Sequence, residues 1–206
     1  MTELFPSSDF DTWAGTYDND VVSARFPFDG YARVLDTVVA LADARPGLSV
    51  LDLGTGTGNL AARFATLGCK LWCTDFSAAM LEKARSKLPA AHFIRHDLRV
   101  PWPPELDRRF DRVVSAYVFH HFGLDEKIRL VKSLLDEHLL PGGRLVIADI
   151  AFPDEAALDG VRRAAGEAWE EEPYWIASQA LPALEQAGLR LAYRQVSSCA
   201  GVFTFG

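Results

Sequence analysis

The sequence predicts an α/β fold built on a mostly parallel seven-stranded sheet, with helices on both faces and a C-terminal antiparallel hairpin. Between residues 48 and 150, short apolar β-branched segments alternate with segments of helical spacing, which is typical of consecutive βαβ units. Two further strand-like segments follow near the C-terminus with only a few residues between them. They must pair antiparallel, because a parallel return needs a long crossover.

Each predicted element follows from its local pattern. Near-continuous apolar residues, as at 145–148, suit strands buried on both faces. Ser77 and Asp125 are candidate N-caps, and the Pro-Gly-Gly at 141–143 ends a helix and starts a turn. The predicted strands are Ser49–Leu53, Lys70–Thr74, His92–Arg95, Arg112–Ala116, Arg144–Ile150, Arg190–Val196 and Gly201–Phe205. The predicted core and tail helices are Thr57–Leu67, Ser77–Leu88, Asp125–Leu139 and Ser178–Ala187.

Two segments outside this alternation extend the core. Residues 1–45 have helical spacing, and residues 154–172 form a further predicted helix that ends in an acidic run before Pro173. The crossover from Asp97 to Asp111 contains three prolines, so we expect an irregular loop or a single turn there. We expect one domain, 1–206, made of an N-terminal helical cap (1–45), a βα core (48–150), a second cap (151–177) and a C-terminal helix and β-hairpin (178–206).

The composition argues against several classes of protein. The 206 residues carry 21 Lys and Arg against 28 Asp and Glu, a net charge of −7, whereas a protein that grips nucleic acid needs a basic face. No apolar run approaches the roughly 20 residues that span a bilayer, and no secretory signal is recognisable. Three cysteines are an odd number in a chain too large to need disulfides. We expect a cytoplasmic protein without nucleic-acid or membrane partners.

A glycine-rich loop follows the first strand and opens the first core helix. Its glycines, Gly54, Gly56 and Gly58, permit positive φ angles and let a ligand lie against bare backbone, beside the free N–H groups of the helix. Asp75 ends the next strand, about 20 residues further on, where an acid is placed to accept hydrogen bonds from two ribose hydroxyls. Loop and acid together indicate an adenosine-bearing ligand.

A nicotinamide dinucleotide is the alternative ligand for this loop. Residues 56–61 satisfy the pattern G-x-G-x-x-A. In register with the strand, however, the pattern is G-x-G-x-G, and Asn59 stands where dinucleotide-binding enzymes have a small residue. Asp52 lies inside the strand, where such a fold has no need for it, and the chain has no Tyr-x-x-x-Lys pair. These observations disfavour the dinucleotide.

Five motifs in order resemble those of the class I S-adenosylmethionine-dependent methyltransferases, and they cover most of the chain. They are Asp52–Gly58, Cys73–Ser77 with Met80, His96–Leu98, Phe110–Ala116 followed by Phe119–Phe122, and Leu140–Leu145. Around Trp13 and Asp149 the sequence further resembles small stand-alone bacterial methyltransferases of the YrrT type. The proline-rich stretch 100–104 and the acidic run 167–172 depart from that pattern and leave the substrate open.

The resemblance implies a Rossmann-like class I methyltransferase fold that binds S-adenosylmethionine and releases S-adenosylhomocysteine. It implies that Asp75 holds the ribose and that Asp97, with the backbone after it, meets the adenine. The cofactor-binding residues expected on this basis are Tyr17, Asp52, Gly54, Thr55, Gly56, Gly58, Asp75, Phe76, Met80, Asp97, Leu98, Ser115 and Ala116.

The methyl acceptor is expected outside the carboxyl ends of the strands, beside the methyl group. In-line displacement at a sulfonium carbon requires a positioned acceptor and often the removal of a proton. Tyr117, His120 and His121 follow the fourth strand and Asp149 closes the fifth, so these four are the candidate catalytic residues. Each also has a structural interpretation, as a packed loop residue or as an aspartate that caps nearby backbone.

Two caps are expected to close the site. Trp13 and Tyr17 of the N-terminal segment would fold over the cofactor, and Tyr174 and Trp175 of the second cap would line the acceptor pocket on the substrate side. The acidic run Glu170–Glu172 is expected to be a solvated helix end, although a cationic acceptor would give it a use.

No metal site is predicted. His92 and His96 lie four residues apart on a strand, which separates them by about 13 Å. Cys69 and Cys73 bracket the second strand without a third ligand nearby in the sequence, so we interpret them as small buried residues.

The leading function is therefore an S-adenosylmethionine-dependent methyltransferase that acts on a small molecule, as a monomer or homodimer. Ser115–Val118 lacks the Asp/Asn-Pro-Pro-aromatic signature of DNA adenine methylation, and no paired glutamates follow the fourth strand, as protein-arginine methylation would need. Oxygen, nitrogen, sulfur and carbon acceptors all stay open. The alternatives are a non-catalytic S-adenosylmethionine-binding module and, less favoured, an NAD(P)-dependent oxidoreductase.

Overall fold

A computed structural model describes residues 7–23 and 25–206, and its centre is a mixed β-sheet. The strands are β1 Ser49–Leu53, β2 Lys70–Asp75, β3 His92–Arg95, β4 Phe110–Ala116, β5 Leu139–Phe152, β6 Trp175–Ile176, β7 Leu191–Gln195 and β8 Ala200–Phe205. Seven of them form the path β3-β2-β1-β4-β5-β8-β7. The first five along this path are parallel, and β8 runs antiparallel to both β5 and β7. The predicted fold class is confirmed.

One strand was not predicted. β6 has only two residues and pairs parallel with the end of β5, through Ala151 and Phe152. Trp175 and Ile176 give no strand pattern of their own, because two residues are too few to show alternation. This pairing attaches the second cap to the carboxyl end of β5.

The helices lie mostly where the sequence predicts them. Ser77 is the N-cap of its helix, since its Oγ accepts a hydrogen bond from the Met80 N–H at 3.1 Å. The candidate N-cap Asp125 is wrong: Gly123 takes that position, and its N–H donates to Oε2 of Glu126 at 2.9 Å. The helices are α1 Ser7–Trp13, α2 Tyr17–Asp20, α3 Tyr31–Ala42, α4 Asn59–Thr66, α5 Ala78–Lys87, α6 Leu124–Ser133, α7 Glu155–Ala165 and α8 Ala177–Gln186.

Short irregular turns replace part of the predicted helix. The helix expected to end at Leu139 changes to one π turn at Leu134–His138. The proline-rich crossover contains a single 3₁₀ turn at Pro104–Leu106, as expected. The helix expected over 154–172 is too long, because Gly166 takes a positive φ of 56° and ends α7. Residues 1–6 and 24 of the predicted N-terminal cap lie outside the described residues. The division of the chain into one domain with caps stays a prediction.

Apolar side chains fill both faces of the sheet. Neighbouring residues of β5 alternate between the two large core clusters: Leu145 and Ile147 belong to one, Val146 and Ala148 to the other. Strands buried on both faces are typical of a parallel sheet covered by helices. Within the part of the chain that the structure describes, no helix has the length and apolar character needed to cross a membrane.

The strand register places the carboxyl ends of β1, β2 and β4 side by side. Leu53 at the end of β1 pairs with Thr74 of β2 on one side and with Ser115 of β4 on the other. The loops after these strands therefore leave the sheet at the same edge and next to one another.

Candidate functional site

The loop after β1 exposes bare backbone at one glycine. Gly54, Gly56 and Gly58 all have positive φ angles, 63°, 53° and 88°. A Cβ atom on Gly54 would lie 2.3 Å from Cγ2 of Val118, whereas a Cβ on Gly56 would meet no atom within 4 Å. Gly54 is thus fixed by close packing, and Gly56 presents open backbone to a cavity that it helps to line.

Asp75 lies directly across from this open backbone. Its Oδ2 accepts a hydrogen bond from the Gly56 N–H at 2.8 Å, and its Oδ1 accepts one from the Ser77 N–H at 2.9 Å. Burial raises the pKa of this carboxyl to about 6, against the opposing effect of these hydrogen bonds. Each oxygen keeps a lone pair for a further donor, which is what two neighbouring hydroxyl groups of a ribose require.

Four of the residues expected to bind the cofactor lie behind the cavity wall. Asp52 is buried and accepts a hydrogen bond from Thr55 Oγ1 at 2.6 Å, and burial raises its pKa to about 7. Ser115 Oγ donates to the Leu53 carbonyl at 2.9 Å. Gly58 is packed, since a Cβ there would lie 3.2 Å from that of Ala84. These side chains shape the loop and the strand ends; any direct contact with a cofactor stays a prediction.

The other predicted cofactor residues share one cavity of about 720 Å³. Its wall begins at the glycine loop and the ends of β2 and β3 and continues past the end of β4. The predicted cofactor residues in this wall are Tyr17, Gly54, Gly56, Asp75, Phe76, Met80, Asp97, Leu98 and Ala116.

The N-terminal segment contacts the glycine loop, and its role as a lid over the cofactor stays a prediction. Trp13 and Tyr17 line the cavity and meet edge to face with ring centroids 4.8 Å apart. Asp18 fixes the segment, because its Oδ1 accepts hydrogen bonds from Thr57 Oγ1 at 2.6 Å and Asn59 Nδ2 at 3.0 Å. Sequence reasoning missed this anchor, since nothing in the spacing connects Asp18 with a loop 39 residues later.

A histidine–aspartate pair connects the turn after β4 with β5. His120 Nδ1 is 2.6 Å from Oδ1 of Asp149. Asp149 is fully buried, and its carboxylate also accepts hydrogen bonds from Trp175 Nε1 and from the Ile150 N–H, each at 2.9 Å. The expected lining residue Trp175 is thus a buried support for Asp149, which itself lies behind the cavity wall.

A glutamate that the sequence analysis assigned to solvent completes this region. The Oε2 atom of Glu172 lies 3.2 Å from Nδ1 of His121 and 3.5 Å from Nε2 of His120, and only 9% of the side chain is exposed. We call these three residues the histidine cluster; all of them line the cavity. For Glu172 the expectation of a solvated helix end is wrong, because α7 ends at Ala165 and the following chain folds back over the site.

Burial and the nearby carboxylates have opposite effects on the pKa values of the histidines in this region. Burial alone would lower the pKa of His120, but the charge of Asp149 and the hydrogen bond with it outweigh burial and raise the pKa. The pKa of His121 is lowered, chiefly by burial. Lys127 is also buried; its Nζ donates to the Pro173 carbonyl and lies 4.5 Å from the Trp175 ring centroid, and burial lowers its pKa to about 8.

Tyr117 is a further residue of the cavity wall. It has a positive φ of 60°, which is rare for a residue with a bulky side chain and costs energy. Its ring stacks on that of Tyr31 with centroids 5.4 Å apart. The hydroxyl group is buried and has no hydrogen-bond partner among residues 7–23 and 25–206. A strained residue with an unsatisfied hydroxyl in a cavity wall is typical of a ligand contact.

The residues around the loop fit an adenosyl cofactor. The open backbone of Gly56 would accommodate the ligand, and Asp75 retains acceptor capacity for two hydroxyl donors. Asp97 and Leu98, after β3, line the adjoining wall, and their contact with the adenine stays a prediction.

The comparisons with known proteins identify the class. A family model described as a methyltransferase domain matches residues 50–143. An uncharacterized methyltransferase of Alkaliphilus oremlandii is 36% identical over 152 residues, which cover 71% of this chain and 68% of that protein. One of Bacillus velezensis is 38% identical over 159 residues, covering 73% and 70%. The structure of DhpI in complex with SAH matches with a TM-score of 0.75 at 20% identity, over 97% of this chain and 94% of that one.

The chain therefore belongs to the class I S-adenosylmethionine-dependent methyltransferases, and S-adenosylmethionine is its cofactor. The narrower resemblance to proteins of the YrrT type is compatible with these relatives and stays a prediction. The comparisons do not favour a dinucleotide-dependent oxidoreductase.

Proposed function

We propose that this methyltransferase transfers the methyl group of S-adenosylmethionine to a small molecule by in-line displacement, with the acceptor bound at the histidine cluster. The observation that carries the proposal is that one cavity is lined both by Gly56 and Asp75 and by His120, His121 and Glu172. A cavity of about 720 Å³ has the size of a small-molecule site.

One group of residues would bind the cofactor, and a second group would bind the acceptor. Asp75 binds the ribose hydroxyls, Asp97 and Leu98 flank the adenine, and the backbone of Gly54 and Gly56 lies against the cofactor. Tyr17, Phe76, Met80 and Ala116 form the surrounding wall and keep water out. Held in this way, the two reacting partners meet without the entropy loss of a bimolecular encounter.

At the acceptor end, the proposal assigns separate roles to the residues around the histidine cluster. Asp149 is a positioning residue, because its hydrogen bond with Nδ1 sets the orientation of the His120 ring. His120, His121 and the Tyr117 hydroxyl are the candidate catalytic contacts. The apolar rings of Phe26, Phe28 and Tyr174 in the same wall suit a compact organic acceptor.

A nucleic-acid substrate is disfavoured by the net charge of −7, and a cytoplasmic monomer or homodimer remains our prediction. The alternative of a non-catalytic cofactor-binding module has no specific observation in its favour.

A labelling experiment tests the proposal. The protein is incubated with methyl-labelled S-adenosylmethionine and a bacterial extract that has been split by ultrafiltration into metabolites and macromolecules. We expect label in a metabolite. His120→Ala should lower the rate of labelling about 100-fold, because a reacting group misplaced by about 1 Å can lose that much rate. The matched control is Asp36→Asn, which changes an exposed carboxylate paired with Arg63.

Two results would contradict the proposal in different ways. Label confined to macromolecules would contradict the small acceptor. Cofactor binding without label in either fraction would support the non-catalytic module instead.

A further inference from the structure

We propose that the histidine cluster binds a divalent transition-metal ion of the Zn²⁺ type through His120 Nε2, His121 Nδ1 and Glu172 Oε2. This inference rests on the proposed function in one respect, because it specifies how the acceptor end of the cavity would hold and activate its substrate. The ion-binding part can be tested without any acceptor.

The spacing of the three atoms matches a metal site. One ligand atom from each of the three residues lies within 4.8 Å of the other two. Oε2 of Glu172 is 3.5 Å from Nε2 of His120 and 3.2 Å from Nδ1 of His121. Tetrahedral zinc with bonds of about 2.0–2.2 Å to nitrogen and oxygen separates its ligand atoms by about 3.3–3.5 Å. The two distances from Glu172 Oε2 therefore agree with two ligand–ligand edges of such a tetrahedron.

The donor set selects the kind of ion. Two imidazoles and one carboxylate suit zinc and its neighbours in the first transition series, whereas Mg²⁺ and Ca²⁺ prefer oxygen ligands throughout. Three protein ligands leave a fourth position for water or substrate, as in catalytic rather than structural zinc sites. Because all three residues line the cavity, that position can face the acceptor.

The surroundings of His120 are those of a supported metal ligand. Histidine ligands commonly donate their second ring N–H to a carboxylate, which fixes the ring and leaves the other nitrogen free to coordinate. Asp149 accepts from His120 Nδ1 at 2.6 Å and is itself held by the Trp175 indole N–H and the Ile150 N–H. Nε2 is then the nitrogen that faces Glu172.

The charge balance also favours a cation here. Glu172 and Asp149 place two carboxylates in a region that is almost inaccessible to solvent. Lys127 is the buried cation packed beside them, and its ammonium group donates to the Pro173 carbonyl. Metal ligation requires neutral imidazoles, and one negative charge then remains among these groups; a bound cation would offset it.

A bound ion would give the site a specific chemistry with an oxygen acceptor. An acceptor hydroxyl at the fourth position has its pKa lowered by the ion, so it releases its proton to solvent near neutral pH. The resulting oxygen anion forms the new O–C bond with the methyl carbon as the C–S bond breaks. The bonding pair stays on sulfur, which leaves as a neutral thioether.

The expectation of no metal site did not consider these residues, because two of the ligands come from one turn and the third follows 51 residues later. The histidines lie on the 3₁₀ turn Phe119–His121 and Glu172 lies in the second cap. Only the folding of that cap over the end of β4 brings them together.

Metal binding to the purified full chain tests the inference. The protein is freed of metal with a chelator and titrated with Zn²⁺ against a chromophoric competitor, and separately with Co²⁺, whose visible absorption reports tetrahedral coordination. We expect one equivalent bound and a tetrahedral Co²⁺ spectrum. Glu172→Gln and His121→Ala should each weaken binding at least about 10-fold, and Asp149→Asn about 10–100-fold.

Glu170→Gln is the matched control, because Glu170 lines the same cavity from the same cap but is not part of the cluster. It should bind metal like the unaltered chain. Weak or non-stoichiometric Zn²⁺ binding, or equal binding by Glu172→Gln and Glu170→Gln, would overturn the inference. If Glu172→Gln does not fold, His121→Ala provides the same comparison. A parallel titration with S-adenosylhomocysteine tests the cofactor site separately from the metal site, because the proposed ion has no ligand among the cofactor-binding residues.

Discussion

Asp75→Asn is expected to remove most of the affinity for S-adenosylmethionine and S-adenosylhomocysteine without reducing the stability of the fold. One charge-assisted contact is worth about 1.5–3 kcal/mol, so we expect binding to weaken by about 10–150-fold. The variant keeps the size of the side chain, and its remaining amide oxygen can still accept from Gly56 or Ser77. Calorimetric titration with S-adenosylhomocysteine measures the loss.

The stability of the same variant follows from the pKa of Asp75. Burial raises this pKa to about 6 from 3.8, so the folded state at pH 7 carries the cost of a desolvated carboxylate. Asparagine avoids that cost, and the melting temperature should equal or exceed that of the unaltered protein at pH 7. The advantage should fade as the pH falls through 6 toward 3.8. Unchanged affinity, with Asp36→Asn as the control, would contradict the ribose contact.

Asp149→Asn is expected to cause a large loss of stability. Asp149 is fully buried and accepts hydrogen bonds from His120, Trp175 and the backbone of Ile150. Replacing one partner of a buried charged pair costs about 3–5 kcal/mol. For a chain of this size that corresponds to a fall in melting temperature of about 6–20 °C.

Thermal unfolding measures this effect, and Asp36→Asn supplies the comparison. Asp36 is paired with Arg63 at 2.9 Å, but its side chain is 69% exposed. Exposed pairs contribute about 0–1 kcal/mol, so this control should melt within a few degrees of the unaltered chain. Equal melting temperatures for the two variants would show that Asp149 does not support the acceptor end.

Sequence reasoning succeeded where the chemistry is local. The glycines and Asp75 sit at strand ends that a parallel sheet must bring to one edge, so their proximity follows from the strand order. Ser77 caps α5 through a hydrogen bond with Met80, only three residues further along the chain. Seven of the eight strands in the described residues are predicted, because each is at least four residues long; β6, which was missed, has only two residues.

Sequence reasoning failed where a contact depends on how separate segments fold over one another. Glu172 belongs to a run of acidic residues that would normally face water, and only the end of α7 at Ala165 turns it inward. Asp18 holds the N-terminal segment to the glycine loop through Thr57 and Asn59, a pairing that no spacing rule predicts. Such contacts are set by tertiary packing rather than by local propensity.

The most direct test of the account compares two glycine variants by titration with S-adenosylhomocysteine. Gly56 and Gly142 both have positive φ angles, 53° and 77°, and an added Cβ would meet no protein atom within 4 Å at either position. Alanine should therefore strain both sites by a similar amount, about 1–2 kcal/mol. Of these two glycines, Gly56 lines the cavity and Gly142 does not.

We expect Gly142→Ala to bind S-adenosylhomocysteine like the unaltered chain, and Gly56→Ala to bind about 10-fold more weakly or worse, because the new methyl group occupies the place of the ligand. Matching melting temperatures for the two variants would confirm that the difference comes from the ligand. If both variants bound S-adenosylhomocysteine as tightly as the unaltered chain, the cofactor would not lie against the glycine loop, and the arrangement of the site proposed above would be wrong.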